Sequence, residues 1–170
     1  MRGLLFYASL KTVRSAVGVL NVSKVVILVG TMYGNAIEAA RACGAELGAQ
    51  GHQVRIADTP THADIAADPD AVLLICTSST GMGDLPDSIM PLYCQLLDDS
   101  PALFGRQYGL IGLGDSSYEN FNGGAKTIDA VFQDLGAQRL GEPIFIDGRI
   151  DYEPEKPAAE WVKSWAKFLK

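Results

Sequence analysis

The 170-residue chain is short of the residue types that build metal centres and covalent frameworks. Its three cysteines, Cys43, Cys76 and Cys94, are widely spaced with no CxxC pair, and only two histidines, His52 and His62, could join them. That set argues against a metal site or a disulfide framework and fits a reducing, cytoplasmic compartment. Cations are scarce too: 14 Lys and Arg stand against 20 Asp and Glu, for a net charge of −6. Nucleic acid is excluded as a main partner, because binding a phosphate backbone needs a basic patch. There are no internal repeats, no low-complexity segments and no linker that would divide the chain. No apolar run is long enough to span a membrane.

One region lacks the opposite charge. Residues 1–23 contain Arg2, Lys11 and Arg14 and no acid, and the first acidic residue of the chain is Glu38. The remainder carries 11 basic against 20 acidic residues. Within 1–23 the longest apolar run, Gly3 to Ala8, is short for a signal peptide. The segment reads as a disordered or loosely helical extension, or as translation from an upstream start. The folded domain is expected over 24–170.

What is present is a regular alternation. Lys24 to Val29 (KVVILV) is a continuous apolar, β-branched run, as expected of a strand buried on both faces. Asn35 to Gly51 reads as a helix, with Ile37, Ala40, Cys43 or Gly44, and Leu47 at helical spacing. Gln53 to Ala57 is a second strand, Asp58 to Pro69 a loop or weak turn of helix, and Ala71 to Thr77 a third strand. Helices are expected over Ile89–Leu97, Gly124–Leu135 and Pro157–Leu169, and strands over Tyr108–Leu113 and Arg139–Ile146. In the last strand Gly141 and Pro143 signal a bend or an edge. Strand and helix alternating five times means a doubly wound α/β fold, a parallel sheet with helices on both faces. Ligands of such sheets bind beyond the carboxyl ends of the strands.

Three loops at that edge carry the functional signal, and none contains Lys or Arg. The first, Gly30-Thr31-Met32-Tyr33-Gly34-Asn35-Ala36, combines glycines with the start of a helix, where free N–H groups and the helix dipole favour an anion. The plain alternative is an ordinary turn with Asn35 as N-cap. The loop is neither a Walker turn, which needs Gly-Lys-Ser/Thr, nor GxGxxG. An NAD reading would call on Asp58. A CheY-like receiver would need acidic residues where Gly30 to Tyr33 and Thr77 stand. The second loop, Ser78-Ser79-Thr80-Gly81-Met82-Gly83-Asp84, offers hydroxyls and glycine amides to a flat, polar-edged ligand; its alternative is a flexible connection with Asp84 or Asp87 capping the next helix. The third, Leu113-Gly114-Asp115-Ser116-Ser117-Tyr118-Glu119-Asn120-Phe121-Asn122-Gly123, sets Tyr118 between polar runs as a stacking platform.

The motifs GTMYGN, STGMGDLPDSI and YGLIGLGDSSYENFNGGAKTIDA, in that order and each after its proper strand, resemble the short-chain flavodoxins, in particular the small bacterial flavodoxins of the YqcA type. The likeness covers residues 24–170. It implies a five-stranded flavodoxin-like sheet in the order 2-1-3-4-5 and FMN as cofactor. The phosphate would sit on Thr31, Met32, Tyr33, Gly34, Asn35 and Ala36. The ring would lie between Ser78, Ser79, Thr80, Gly81, Met82 and Gly83 on one side and Leu113, Gly114, Asp115, Tyr118, Phe121, Asn122 and Gly123 on the other. Tyr33 and Ala36 stand where the family often has Thr, which shifts phosphate binding toward backbone amides. Thr80 stands where many flavodoxins carry an aromatic, leaving Met82 as apolar cover.

The resemblance further implies a low-potential one-electron carrier rather than an enzyme. Uncompensated phosphate and the nearby Asp84, Asp87, Asp115 and Glu119 oppose the second electron, and Gly81 or Gly83 could turn a carbonyl toward the ring. A monomer is expected, serving an NADPH-dependent flavodoxin/ferredoxin reductase and acceptor enzymes through an acidic surface: Asp87, Asp98, Asp99, Asp115 and Glu119. The alternatives are an NAD(P)H-dependent FMN quinone reductase on the same fold, and a module that has lost its cofactor.

Overall fold

A computed structural model describes residues 21–170; the expectation for the N-terminal extension falls mainly outside them. The elements follow in the order β1 (Lys24–Gly30), α1 (Asn35–Ala49), β2 (Gln53–Ala57), α2 (His62–Ala66), β3 (Val72–Ser78), α3 (Met90–Asp99), β4 (Gln107–Gly114), α4 (Gly123–Asp134), β5 (Gln138–Arg139), β6 (Ile144–Asp147) and α5 (Glu155–Trp165). All strand pairings are parallel, in the order β2-β1-β3-β4-β5, with β6 also on β4. This is the doubly wound flavodoxin-like sheet the sequence implied.

The two-residue period of β1 explains the layering. Val25, Ile27 and Val29 enter one core with Leu47 of α1 and Val162 and Trp165 of α5. Val26 and Leu28 enter the other, with Leu92 and Leu96 of α3 and Ile128 and Phe132 of α4. A strand that feeds two cores has no polar face to spare, hence its unbroken apolar run. Cys43 and Cys76 are buried and Cys94 is exposed, all three as free thiols. Burial pushes the Cys43 thiol up to about 12 and the Cys76 thiol well above its ordinary value. Both are therefore inert apolar filling.

The structure makes three sequence expectations specific. The segment after β2 holds a short helix, α2, closed by a Thr61–Asp64 capping box. The last strand is broken in two. Gly141 takes φ +69°, and Pro143 has no N–H to pair, so β5 reaches only Gln107 and Tyr108 before β6 rejoins β4 at Ile111. Two indoles hold this broken edge: Trp161 donates to the Glu142 carbonyl and Trp165 to the Leu140 carbonyl. Finally, the last helix tightens into a 3-10 turn at Ala166–Phe168.

Register positions the functional edge. Gly30 lies beside Thr77, Ser78 beside Leu113, and Gly114 beside Asp147. The carboxyl ends of β1, β3, β4 and β6 therefore stop level with one another. Among the described residues no helix is long and apolar enough to cross a membrane, and no group of three His, Cys, Asp or Glu could hold a metal ion.

Candidate functional site

The level strand ends floor a cleft of about 520 Å³, within the usual range for small-molecule sites. Its first wall is the turn after β1. Gly34 takes φ +94°, a conformation open to glycine at little cost, and serves as the N-cap of α1; Asn35 is the first helical residue rather than the cap. No side chain caps the helix, so the amides of its first turn are left without a partner inside it. The Gly34 N–H bonds to Thr31 Oγ1 at 3.0 Å, so the Thr31 hydroxyl keeps its proton for another acceptor. Gly30 is glycine for a different reason: a Cβ there would lie 2.2 Å from Thr77 Oγ1 and 2.8 Å from Ile89.

The second wall is a tight tip. Thr80 and Asp84 exchange two backbone hydrogen bonds of 2.8 Å, and the Gly83 N–H also bonds to the Thr80 carbonyl. Gly81 and Gly83 both have positive φ, but they are not equivalent. A Cβ on Gly83 would strike Asn120 at 2.5 Å, whereas one on Gly81 would meet only the Asp84 carboxylate at 3.4 Å. Gly83 is locked against the third loop and Gly81 has room to turn. Neither Asp84 nor Asp87 caps α3; Ile89 holds that position without a side-chain bond.

The third wall is tied down by carboxylates. Asp115 accepts from the Ser117 hydroxyl and N–H, which hold its carboxyl below the usual range. Asp147 is held low in turn by Ser116, chiefly its hydroxyl, and by the Arg149 N–H. Asn122 closes the loop at φ +57°. Its side chain is 1% exposed, lines the cleft, and neither its Oδ1 nor its Nδ2 has a partner. A buried amide with no partner costs on the order of 1–3 kcal/mol. A ligand with complementary polar edges would relieve that cost.

Thirteen of the nineteen residues expected from the sequence line this cleft: Met32, Tyr33, Asn35, Ser78, Ser79, Thr80, Gly81, Gly83, Leu113, Gly114, Asp115, Tyr118 and Asn122. The other six do not. Thr31 and Gly34 form the turn behind the wall, Ala36 is buried under it, and Gly123 packs against Asn120 and Gly83. Phe121 is half-buried beside the loop, and Met82, 69% exposed, lies off the lining. Asn120, Ile146, Gly148, Asp151, Tyr152 and Pro154 line the cleft without having been singled out. Most of these follow β6, where a break in the strand hid the functional edge; the motif Asp151-Tyr152-Glu153-Pro154 before a helix was the available signal.

Electrostatics separate the acids into two groups. Asp84, Asp87, Asp115 and Glu119 sit in the loops around the cleft. Asp98 and Asp99 end α3, which runs back toward the start of β4 and rises about 15 Å over ten residues. They stand at the opposite edge and do not belong to the cleft's acidic surround. Among the described residues no Lys or Arg lines the cleft, while Asp115 and Asp151 do.

FMN fits this set. Free amides at a helix start suit its phosphate, Tyr118 is half-exposed for stacking, and the partnerless Asn122 suits a polar ring edge.

A family model described as Flavodoxin matches residues 27–165. Flavodoxin YqcA of Escherichia coli K12 is 44% identical over 143 residues, covering 84% of this chain and 96% of that protein. The sulfite reductase [NADPH] flavoprotein alpha-component of Vibrio cholerae is 33% identical over 148 residues, covering 86% of this chain and 24% of that protein. Among solved structures, a cysteine-to-serine mutant of flavodoxin from Pseudomonas aeruginosa superimposes with a TM-score of 0.80 at 37% identity, covering 86% of this chain and 98% of that one.

Proposed function

The chain belongs to the flavodoxin family, FMN-binding electron-transfer proteins, and we propose that it is a low-potential, one-electron carrier. Its proposed donor is an NADPH-dependent flavodoxin/ferredoxin reductase, and it passes electrons on to acceptor enzymes. The bound FMN supplies the redox chemistry, and the protein sets its binding, access and electrostatics.

The observation that carries this reading is the charge of the cleft: amides hold the anion, Asp115 and Asp151 line the wall, and no Lys or Arg does. Adding a second electron to such a site raises negative charge where no Lys or Arg lines the wall and the Arg149 charge is spent on Asp115 and Asp147, so that step is disfavoured. We assign the phosphate end to the amides of Met32, Tyr33, Asn35 and Ala36 and the Thr31 hydroxyl, with the Gly34 N–H already taken by Thr31 Oγ1. We assign the ring to the slot between Ser78–Gly83 and Gly114–Asn122, with Tyr118 stacked and the Asn122 amide on a polar edge. Gly81 is the tip residue free to turn its carbonyl toward the cleft. Gly83, Phe121 and Gly123 hold the two loops together, and Met82 rides outside.

The exposed Asp84, Asp87 and Glu119 surround the mouth and suit a basic partner met briefly and quickly. The relative from Vibrio cholerae, named as an NADPH-dependent flavoprotein, supports a reductase as that partner. Free thiols, two of them buried, fit a reducing, cytoplasmic compartment.

The test is a visible spectrum of the purified protein, followed by NADPH oxidation with and without a separate flavodoxin reductase. A flavin spectrum and turnover only with the reductase are expected. A protein that stays colourless with added FMN would sink the reading, and direct NADPH turnover would make the chain an FMN-dependent quinone reductase instead.

A further inference from the structure

Ser88 stands near the end of the motif STGMGDLPDSI but was assigned no role there; it lies 57 residues from Thr31 and does not line the cleft. Yet its hydroxyl meets both polar groups of one backbone residue. It accepts the Thr31 N–H at 2.9 Å and donates to the Thr31 carbonyl at 3.0 Å. Among the described residues no other side chain from outside the turn bonds the backbone of 31–35. Helix α1 has no side-chain cap of its own. The turn must therefore be aimed from elsewhere, and its other anchor is at Gly30, whose carbonyl accepts from the Ser78 hydroxyl and which is wedged against Thr77 and Ile89, the residue next to Ser88.

We propose that Ser88 is the positioning residue of the phosphate turn, a latch that fixes the Thr31 peptide so that the Thr31 hydroxyl and the amides beyond it converge on the phosphate. The inference rests on the FMN reading above. It acts without touching the ligand. The Thr31 N–H and carbonyl belong to the two peptide planes that flank its Cα, so one hydroxyl bonded to both fixes both planes, and the Gly34-to-Thr31 bond then sets the direction of the next three residues. Without the latch, the Thr31 N–H and carbonyl need new partners and the peptide is free to rotate. The amides then lose their preset convergence, which in a site without cations is the main source of anion affinity.

The expected consequence is selective. FMN and riboflavin share the ring and differ in the phosphate. In flavin-depleted full-length protein, titrated by flavin fluorescence, Ser88→Ala should weaken FMN by roughly tenfold, as expected for the loss of one or two hydrogen bonds. Riboflavin affinity should stay within about twofold. Ser88→Thr, which keeps the hydroxyl, should restore the FMN-to-riboflavin ratio, and Ser88→Val, of the same shape without it, should not. An unchanged ratio in Ser88→Ala overturns the latch. So does an equal loss of both ligands, which would make Ser88 a general support of the loops. Failure of the unmodified protein to bind FMN overturns the functional reading itself and the latch with it.

Discussion

The two ends of the cleft are built on different principles. The phosphate end is local: one turn of seven residues, one left-handed glycine and the start of one helix, aimed from outside by the Ser88 hydroxyl on Thr31 and tied at its first residue by Ser78. The ring end is assembled from the tip after β3, the long loop after β4 and the arm after β6, three segments that meet only through the sheet register. The local end tolerates sequence change, because backbone amides do not depend on side chains; Tyr33 and Ala36 can replace hydroxyl residues there. The assembled end tolerates little, because Gly83 and Gly123 are sites of close approach between segments. Two hydroxyls join the two ends: Ser88, which follows the ring tip and holds Thr31, and Ser78, which donates to the Gly30 carbonyl.

The sharpest way to break this contrast is Gly123→Ala. The new Cβ would stand 2.6 Å from the Gly83 carbonyl and closer still to the Asn120 amide, forcing the second and third loops apart. Overpacking of this kind costs about 1–3 kcal/mol. A flavin titration with thermal melting should show FMN and riboflavin both weakened at least about tenfold and the melting temperature lowered, with the ratio of the two ligands unchanged. A loss confined to FMN would mean the two ends are not separable.

Tyr118→Ala sharpens the same point with less damage. Tyr118 is half-exposed, so its loss should leave the melting temperature alone. Stacking worth about 0.5–1.5 kcal/mol should weaken both flavins by roughly two- to tenfold.

Tyr33→Lys probes the opposite end. Tyr33 is 88% exposed, so a lysine there is solvated and its pairing with phosphate is screened. FMN should bind up to about fivefold more tightly at low salt and no tighter at high salt, riboflavin should not respond, and the second-electron potential should rise. A potential that does not move would remove missing countercharge as the cause of a low value.

The smallest effect is in pH. A phosphate monoester gains a proton near about pH 6, so FMN affinity should begin to fall there. Riboflavin affinity should not, because the third loop is held by Asp115 and Asp147. Their folded-state carboxyls lie below the ordinary aspartate value, so they bind fewer protons folded than unfolded. The support they give is complete above the ordinary range and is lost only as pH falls below it. Riboflavin titrations across that range check the sign: weakening at neutral pH would contradict it.

Much of this was legible beforehand. The runs KVVILV and AVLLICT could only be strands buried on both faces, and the alternation with helices dictated a parallel sheet. The turn GTMYGN could be read because its glycines and its helix-start amides are neighbours along the chain. Sequence could not show that Asn122 would be left without a partner, that Ser88 would reach Thr31, or that Gly148 to Pro154 would close the cleft. Each depends on which strands lie side by side and at what register. Nor could it separate Asp98 and Asp99 from the other acids, since adjacency along the chain hides the return of a helix to the far edge. Hydrophobic period and turn chemistry are properties of neighbouring residues, so the sequence alone determined the fold and the anion turn. Convergence of distant segments is a property of the packed sheet, so only the tertiary structure decided how the ring slot closes and what aims the turn.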